Sequence, residues 1–225
     1  MNSKSGRYIT NLLSLPPVYF FLFQKLLKQK RFVKTHLEKE LLPYRINSDG
    51  SLEQLDIKKV LSYYSLGVPA VLGESLCVLR GKKMLPQERL CMTFLGGISG
   101  LLDDLFDDPE KEVEHLENFI LKPEALIPAN DYEKLLQHLY ESGLHYSFVP
   151  EQIKHQAFKV FQSQKHSLKQ QEIKLEAKKI EEITYLKGGN SFLYYRLCLN
   201  HPLEKKEQKF SLRIRRINAV GQRYI

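Results

Sequence analysis

Four aspartates stand in the run Asp103-Asp104-Leu105-Phe106-Asp107-Asp108. On a helix Asp103 and Asp107 are four apart and Asp104 and Asp107 three apart, so these carboxylates become neighbours. Like charges at those spacings repel, and a helix C-terminus already carries partial negative charge. A hard divalent cation removes the penalty. Magnesium prefers carboxylate oxygen and completes its shell with water and substrate phosphate. The expected chemistry is therefore magnesium held by Asp103, Asp104 and Asp107 against a phosphorylated ligand. Asp108 precedes Pro109 and Glu110, the pattern of a capping residue followed by proline at the first helical position. It is assigned to starting the next helix. A solvated acidic loop between helices is the other reading of the same residues.

The elements that must position this run read as helices. Residues 86–106 are apolar nearly all round, with Gly96, Gly97, Ser99 and Gly100 among them. Such a helix is buried among others. Its glycines cost roughly 1 kcal/mol each against alanine, which makes sense where a neighbouring helix or a ligand approaches closely. Further helical segments are expected over 18–40, 51–64, 68–79, 109–121, 131–142 and 150–185. The last is broken at Gly188-Gly189 and resumed to about 199. Proline and acidic residues at several starts suit helix N-termini. Asp49-Gly50 lacks flanking strands and reads as a helix connection. The fold expected is all-α: an N-terminal helix and connection over 1–50, a helical core over 51–200 and a basic tail over 201–225.

The DDLFD of residues 103–107 resembles the DDxxD motif of class I isoprenoid synthases, the terpene and prenyl-diphosphate synthases. Its place at the end of a buried, glycine-bearing helix is similar too. TYLKGGNSFLYYR at 184–196 resembles the broken helix of that fold, where a backbone interruption faces the diphosphate. The resemblance spans about residues 50–200. It implies an isoprenoid-synthase helical bundle, Mg2+ as cofactor and a prenyl diphosphate as substrate. Lys187 would contact the diphosphate, Gly188 and Gly189 would supply the break, and Arg80 and Arg196 are further basic candidates. Ionisation of the allylic C–O bond would follow, in a pocket whose aromatic faces stabilise the cation. Phe94, Tyr185, Phe192, Tyr194 and Tyr195 are candidate lining residues, each equally a core residue. Gln162, Gln164, Ser167 and Gln170 form a polar stripe on the long helix, facing either the cavity or solvent.

The chain also departs from that pattern. PEKEVEHLE follows the aspartates without the arginine pair of chain-elongating enzymes, and Asp103 with Asp107 also fits the DxxxD spacing of head-to-head synthases. No second metal motif of NDxxSxxxE type follows Gly189. The ending, EKKEQKFSLRIRRINAVGQRYI, turns arginine-rich instead. Codons permitted for residues 213–225 read ELGGLMQLGNDI when shifted by one base, an apolar helix running into Asn-Asp. The bundle is thus expected to be incomplete at its C-terminal end through truncation or a frameshift, which the coding DNA decides. In that case Arg213, Arg215, Arg216 and Arg223 are accidental charges, and the enzyme is inactive for want of its second metal motif.

Composition sets the remaining bounds. A chain of 225 residues with 43% hydrophobic residues builds a sizeable core. Cys77, Cys91 and Cys198 are odd in number and lack CxxC spacing, so neither a disulfide framework nor a zinc site follows. Buried thiols in a reducing cytoplasm are expected. Residues 12–23 are apolar after Lys4 and Arg7, but Pro16-Pro17 splits the run and no small-residue cleavage site follows. The run is too short to span a bilayer, which leaves peripheral membrane contact open. The net charge of +8 suits anionic partners. No nucleic-acid recognition motif accompanies it, so no nucleic-acid partner is expected. The alternative to an isoprenoid synthase is a non-catalytic helical binding or regulatory protein.

Overall fold

The computed structural model describes residues 3–108, 111–168 and 177–202, with Lys205 and Glu207, and side chains over 16–108, 111–167 and 183–202. The tail segment 213–225 and Gln170 lie outside the described residues. The chain is all-helical there, and no strand occurs among the described residues. Among the described residues ten α-helices follow one another: α1 (Ser3–Glu40), α2 (Gln54–Ser62), α3 (Tyr64–Gly67), α4 (Glu74–Leu79), α5 (Pro86–Gly97), α6 (Ser99–Asp107), α7 (Val113–Leu121), α8 (Asp131–His145), α9 (Pro150–Leu168) and α10 (Ala177–Arg196). A π-helical turn, Val68–Gly73, joins α3 to α4. Its Glu74 N–H reaches back to the Pro69 carbonyl, a reach of five residues that widens the coil where proline has no N–H to give.

α5 is the central element. Its Cys91, Met92, Phe94 and Leu95 are buried, as are Ile98 and Leu101 just beyond. It packs on α8 and α3, and α9 pairs with α10. The expected single helix over 86–106 is divided at Ile98, whose φ and ψ of −79° and −9° bend the chain into α6. The glycines answer to close packing. A Cβ at Gly96 would lie 2.8 Å from the Tyr64 carbonyl oxygen, and one at Gly97 would lie 3.3 Å from Leu37.

Buried polar groups fix the end of the bundle where α5 begins. Arg89 bonds Glu74 and, at 2.8 Å, the Gln29 side-chain oxygen. Gln29 in turn donates to Thr93 at 2.8 Å and to the Ser65 carbonyl at 2.9 Å. Lys25 adds a 2.8 Å ion pair to Glu74. Burial raises the Glu74 carboxyl, but Lys25 and Arg89 outweigh it and hold the group below its ordinary value. One network thus clamps α1 and α4 onto α5.

Three further expectations change. The first helix begins at Ser3 and not near Val18, with Pro16 and Pro17 inside it and both exposed. α7 starts at Val113, with Glu112 before it, not at Pro109. Lys111, just before α7, pairs with buried Glu133 on α8. α10 runs unbroken through Gly188 and Gly189. Glycine permits a break there without requiring one. Gln156 on α9 holds Asn190 at 3.1 Å and Asn190 holds Ser163 at 2.7 Å, which keeps this stretch against α9 as helix.

Replacing Gly96 with alanine tests the packing. The clash with Tyr64 costs about 1–3 kcal/mol, and the gain in helix propensity of about 1 kcal/mol only partly offsets it. The urea midpoint falls with an unchanged slope. A raised midpoint would contradict the close approach of α5 and α3.

Candidate functional site

Helical periodicity makes the site. Ser99, Leu102, Asp103 and Phe106 recur at intervals of three and four along α6 and form one wall of a cavity of about 390 Å3. Lys187, Ser191, Tyr194 and Tyr195 do the same along α10. Phe119 and Ile120 of α7, Tyr140 of α8, and Ala157 and Val160 of α9 close the rest. The volume lies in the range of small-molecule sites, which are mostly apolar with a few placed polar groups. Among the described residues the charged lining residues are Asp103 and Lys187.

Asp103 is half-buried. Burial pushes its carboxyl above the ordinary value, Lys187 opposes that, and Asp107 and Asp104 add to it. Among the described residues no hydrogen bond or ion pair joins Lys187 to Asp103, so the ammonium acts on the carboxyl through space. Tyr194 is buried, and its hydroxyl has no hydrogen-bond partner among the described residues. Burial raises this phenol far above its usual value, which keeps it a neutral donor in the wall. The Tyr195 hydroxyl instead bonds Ser99 across the cavity wall.

The aspartate run divides. Asp107 accepts a hydrogen bond of 2.9 Å from the Gln164 side-chain amide on α9. The other end of that amide, the Gln164 Oε1, is buried without a partner. Asp104 lies one residue on from Asp103, about 100° around the helix, and turns to α2, where Lys59 binds it. Asp108 caps α6 at its C-terminal end and lines a second, polar depression with Asp104, Asp56 and Lys111. Among the described residues no three His, Cys, Asp or Glu side chains converge on one point. Magnesium does not need such a cage, since one or two carboxylates with water and phosphate usually hold it. Asp103 and Asp107, one turn apart, are an oxygen-only pair of that kind. The orphaned Gln164 Oε1 beside them lacks the donor that water on a hydrated cation supplies. Asp104 is not free to complete the set while Lys59 holds it.

Other expected site residues are placed elsewhere. Arg80 forks onto Glu88 with two bonds of 2.6 Å and reaches the Lys83 carbonyl at 3.1 Å. Arg196 bonds Glu207, one contact being 2.9 Å, and the His201 carbonyl at 3.2 Å. The Asn200 N–H also meets Glu88, at 2.7 Å. Both arginines therefore serve the end of the bundle where α5 starts and do not line the cavity. Gly188 lines it and Gly189 is buried beside it, both within continuous helix. Phe192, Tyr194 and Tyr195 line the cavity as well, while Phe94 is core and stacks on Tyr146 at 5.8 Å. Tyr185 is half-buried and outside the lining. On the polar stripe Gln162 is exposed, whereas Gln164 is buried. Phe106, Phe119 and Tyr140 escaped the sequence reading. Phe106 was legible, lying three residues from Asp103 on the same face.

Comparison with family models, with curated proteins and with solved structures finds no match to this chain.

Asp103 gives the site a pH signature. Its folded-state value is raised, so between 3.8 and that value the folded chain binds more protons than the unfolded one. This carboxyl's contribution to stability therefore falls as pH rises through that window. Asp103→Asn removes the slope and melts at a higher temperature than the ligand-free parent at neutral pH. Thermal unfolding from pH 3.5 to 7.5 reads both. A lower melting temperature with the slope retained would mean that Asp103 is not buried at a cost.

Proposed function

We propose that the cavity takes a prenyl diphosphate, with the hydrocarbon among Phe106, Phe119, Ile120, Val160 and Phe192 and the diphosphate at the Asp103–Lys187 end. On this reading the chain is a class I isoprenoid-synthase-like protein. One observation carries it: among the described residues one carboxylate and one ammonium share a mostly apolar, aromatic cavity. A purely hydrocarbon ligand gives those charges no work, and a purely phosphate ligand leaves the aromatic walls unused.

The chain's own groups then have distinct tasks. Lys187 balances diphosphate charge and, as a compact ammonium, follows it as the leaving group departs. Asp103 and Asp107 would hold Mg2+ against the phosphate oxygens. Bound there, the ion supplies charge neutralisation for the departing diphosphate. The apolar walls exclude water from the allylic cation that remains, and the faces of Phe106, Phe119 and Phe192 stabilise it. The phenols of Tyr194 and Tyr195 stay neutral there because burial raises both.

A non-catalytic prenyl-diphosphate binder is the second reading. The observation favouring it is the diversion of Asp104 to Lys59, which leaves Asp103 in the cavity lining and Asp107 one turn away at its edge where three metal-holding carboxylates were expected. Turnover separates the two. Geranyl, farnesyl and geranylgeranyl diphosphates are each incubated with the chain and magnesium, and released diphosphate and extractable products are measured. The synthase reading expects diphosphate release with at least one substrate, reduced about a hundredfold or more in Asp103→Asn, as befits loss of a transition-state charge contact. Binding without release supports the non-catalytic reading, and neither binding nor release defeats both.

A further inference from the structure

The first helix carries a surface that the cavity does not explain. Phe20, Phe23 and Leu27 follow each other at spacings of three and four, so they lie along one outward stripe of α1. Tyr19, Phe20 and Phe23 are 67%, 64% and 58% exposed, although aromatic side chains of this size usually find cover. Along the same stripe the helix turns basic. Arg31 and Lys34 continue the three-and-four spacing from Leu27, flanked by Lys28 and Lys30, all exposed. No Asp or Glu precedes Glu38 anywhere in the chain, so no acid dilutes this charge.

The surface lies away from the acidic motif. Leu37 packs near Gly97, while Gln29 reaches Thr93 and Arg89 and Lys25 reaches Glu74. α1 therefore runs parallel to α5, and its aromatic stretch lies N-terminal to these contacts, beyond the α5 start. The Lys25–Glu74 pair also brings α4 against α1 here. The end of α4 exposes Val78 and Leu79, with Lys82 and Lys83 next in the chain.

We infer that α1 docks on an anionic lipid surface, with Tyr19, Phe20 and Phe23 entering the headgroup boundary and Lys28, Lys30, Arg31 and Lys34 meeting lipid phosphates. Exposed aromatics beside an acid-free basic run are the composition of helices that lie in a membrane interface. Each basic residue near an anionic leaflet adds attraction. A soluble polyanion would use the lysines and arginines but leave the aromatics bare. A second copy would cover the aromatics while setting like charges together. No helix among the described residues is long and apolar enough to cross a membrane, so the contact is peripheral. The inference does not depend on what the cavity binds.

The test is co-sedimentation of the full chain with vesicles of equal phosphatidylglycerol and phosphatidylcholine, and with phosphatidylcholine alone. The chain pellets with the anionic vesicles, and binding weakens as salt rises. Neutralising Lys28, Arg31 and Lys34 to glutamine weakens it on the order of a hundredfold. Phe20→Ser with Phe23→Ser weakens it by about tenfold or more. All these positions are exposed, and circular dichroism checks that each variant stays helical. Three results would overturn the inference: no binding to anionic vesicles, binding unchanged in the Phe20/Phe23 variant, or a chain that is dimeric by light scattering only while those phenylalanines are present. The second marks bare polyelectrolyte attraction, as to a nucleic acid, and the third marks a second copy as the occupant.

Discussion

Asp103 carries a carboxylate into a cavity wall that is mostly apolar and aromatic, and burial raises the cost of its charge. Buried charge is tolerated when it is paired or when it binds something. Lys187 compensates from across the cavity without contacting it. The rest of the structure makes that pair face the same space. α5 supplies the packed centre, the bend at Ile98 redirects the chain, and α6 then turns Asp103 inward along with Phe106. α10 must stay helical through Gly188 and Gly189 to present Lys187 in register with Tyr194 and Tyr195.

At the opposite end of the bundle the buried charges are paired, although Arg80 Nε has no hydrogen-bond partner among the described residues. Arg80 and Glu88, Arg89 and Glu74, and Arg196 and Glu207 are close pairs with further bonds to backbone or amide groups. Removing one partner of such a pair leaves an uncompensated charge, which is far costlier than losing a surface ion pair. Around the cavity Asp103 and Lys187 share a lining without an ion pair between them, and the buried Tyr194 hydroxyl has no hydrogen-bond partner among the described residues.

Much of this was legible in the sequence. The all-helical class followed from spacing and from proline and acidic starts, and the close approach at Gly96 and Gly97 followed from glycine inside an apolar helix. The inward face of α6 was readable from the interval of Asp103 to Phe106. What the sequence left open was the partnering of charges. Asp104 shares a face with Asp107 as plausibly as Asp103 does, and only the approach of Lys59 from α2 draws it outward. Arg80 and Arg196 looked available because Glu88 and Glu207 become their partners only once the chain folds. The glycine pair in α10 shows the same limit from the other side: backbone freedom is local, but contacts with α9 decide whether it is used.

Central to the proposed function is a cavity that takes an apolar chain and an anionic head together, through Asp103 and Lys187. Thermal unfolding of the chain and of Lys187→Ala with farnesyl diphosphate, with and without magnesium, tests this most directly. At a ligand concentration of about a hundred times Kd the stabilisation is about 2.7 kcal/mol, or roughly 5–10 °C for a chain of this size. The account predicts that shift only when ligand and magnesium are both present, and its loss in Lys187→Ala. A shift of equal size without magnesium and in the variant, or no shift at all, would contradict it.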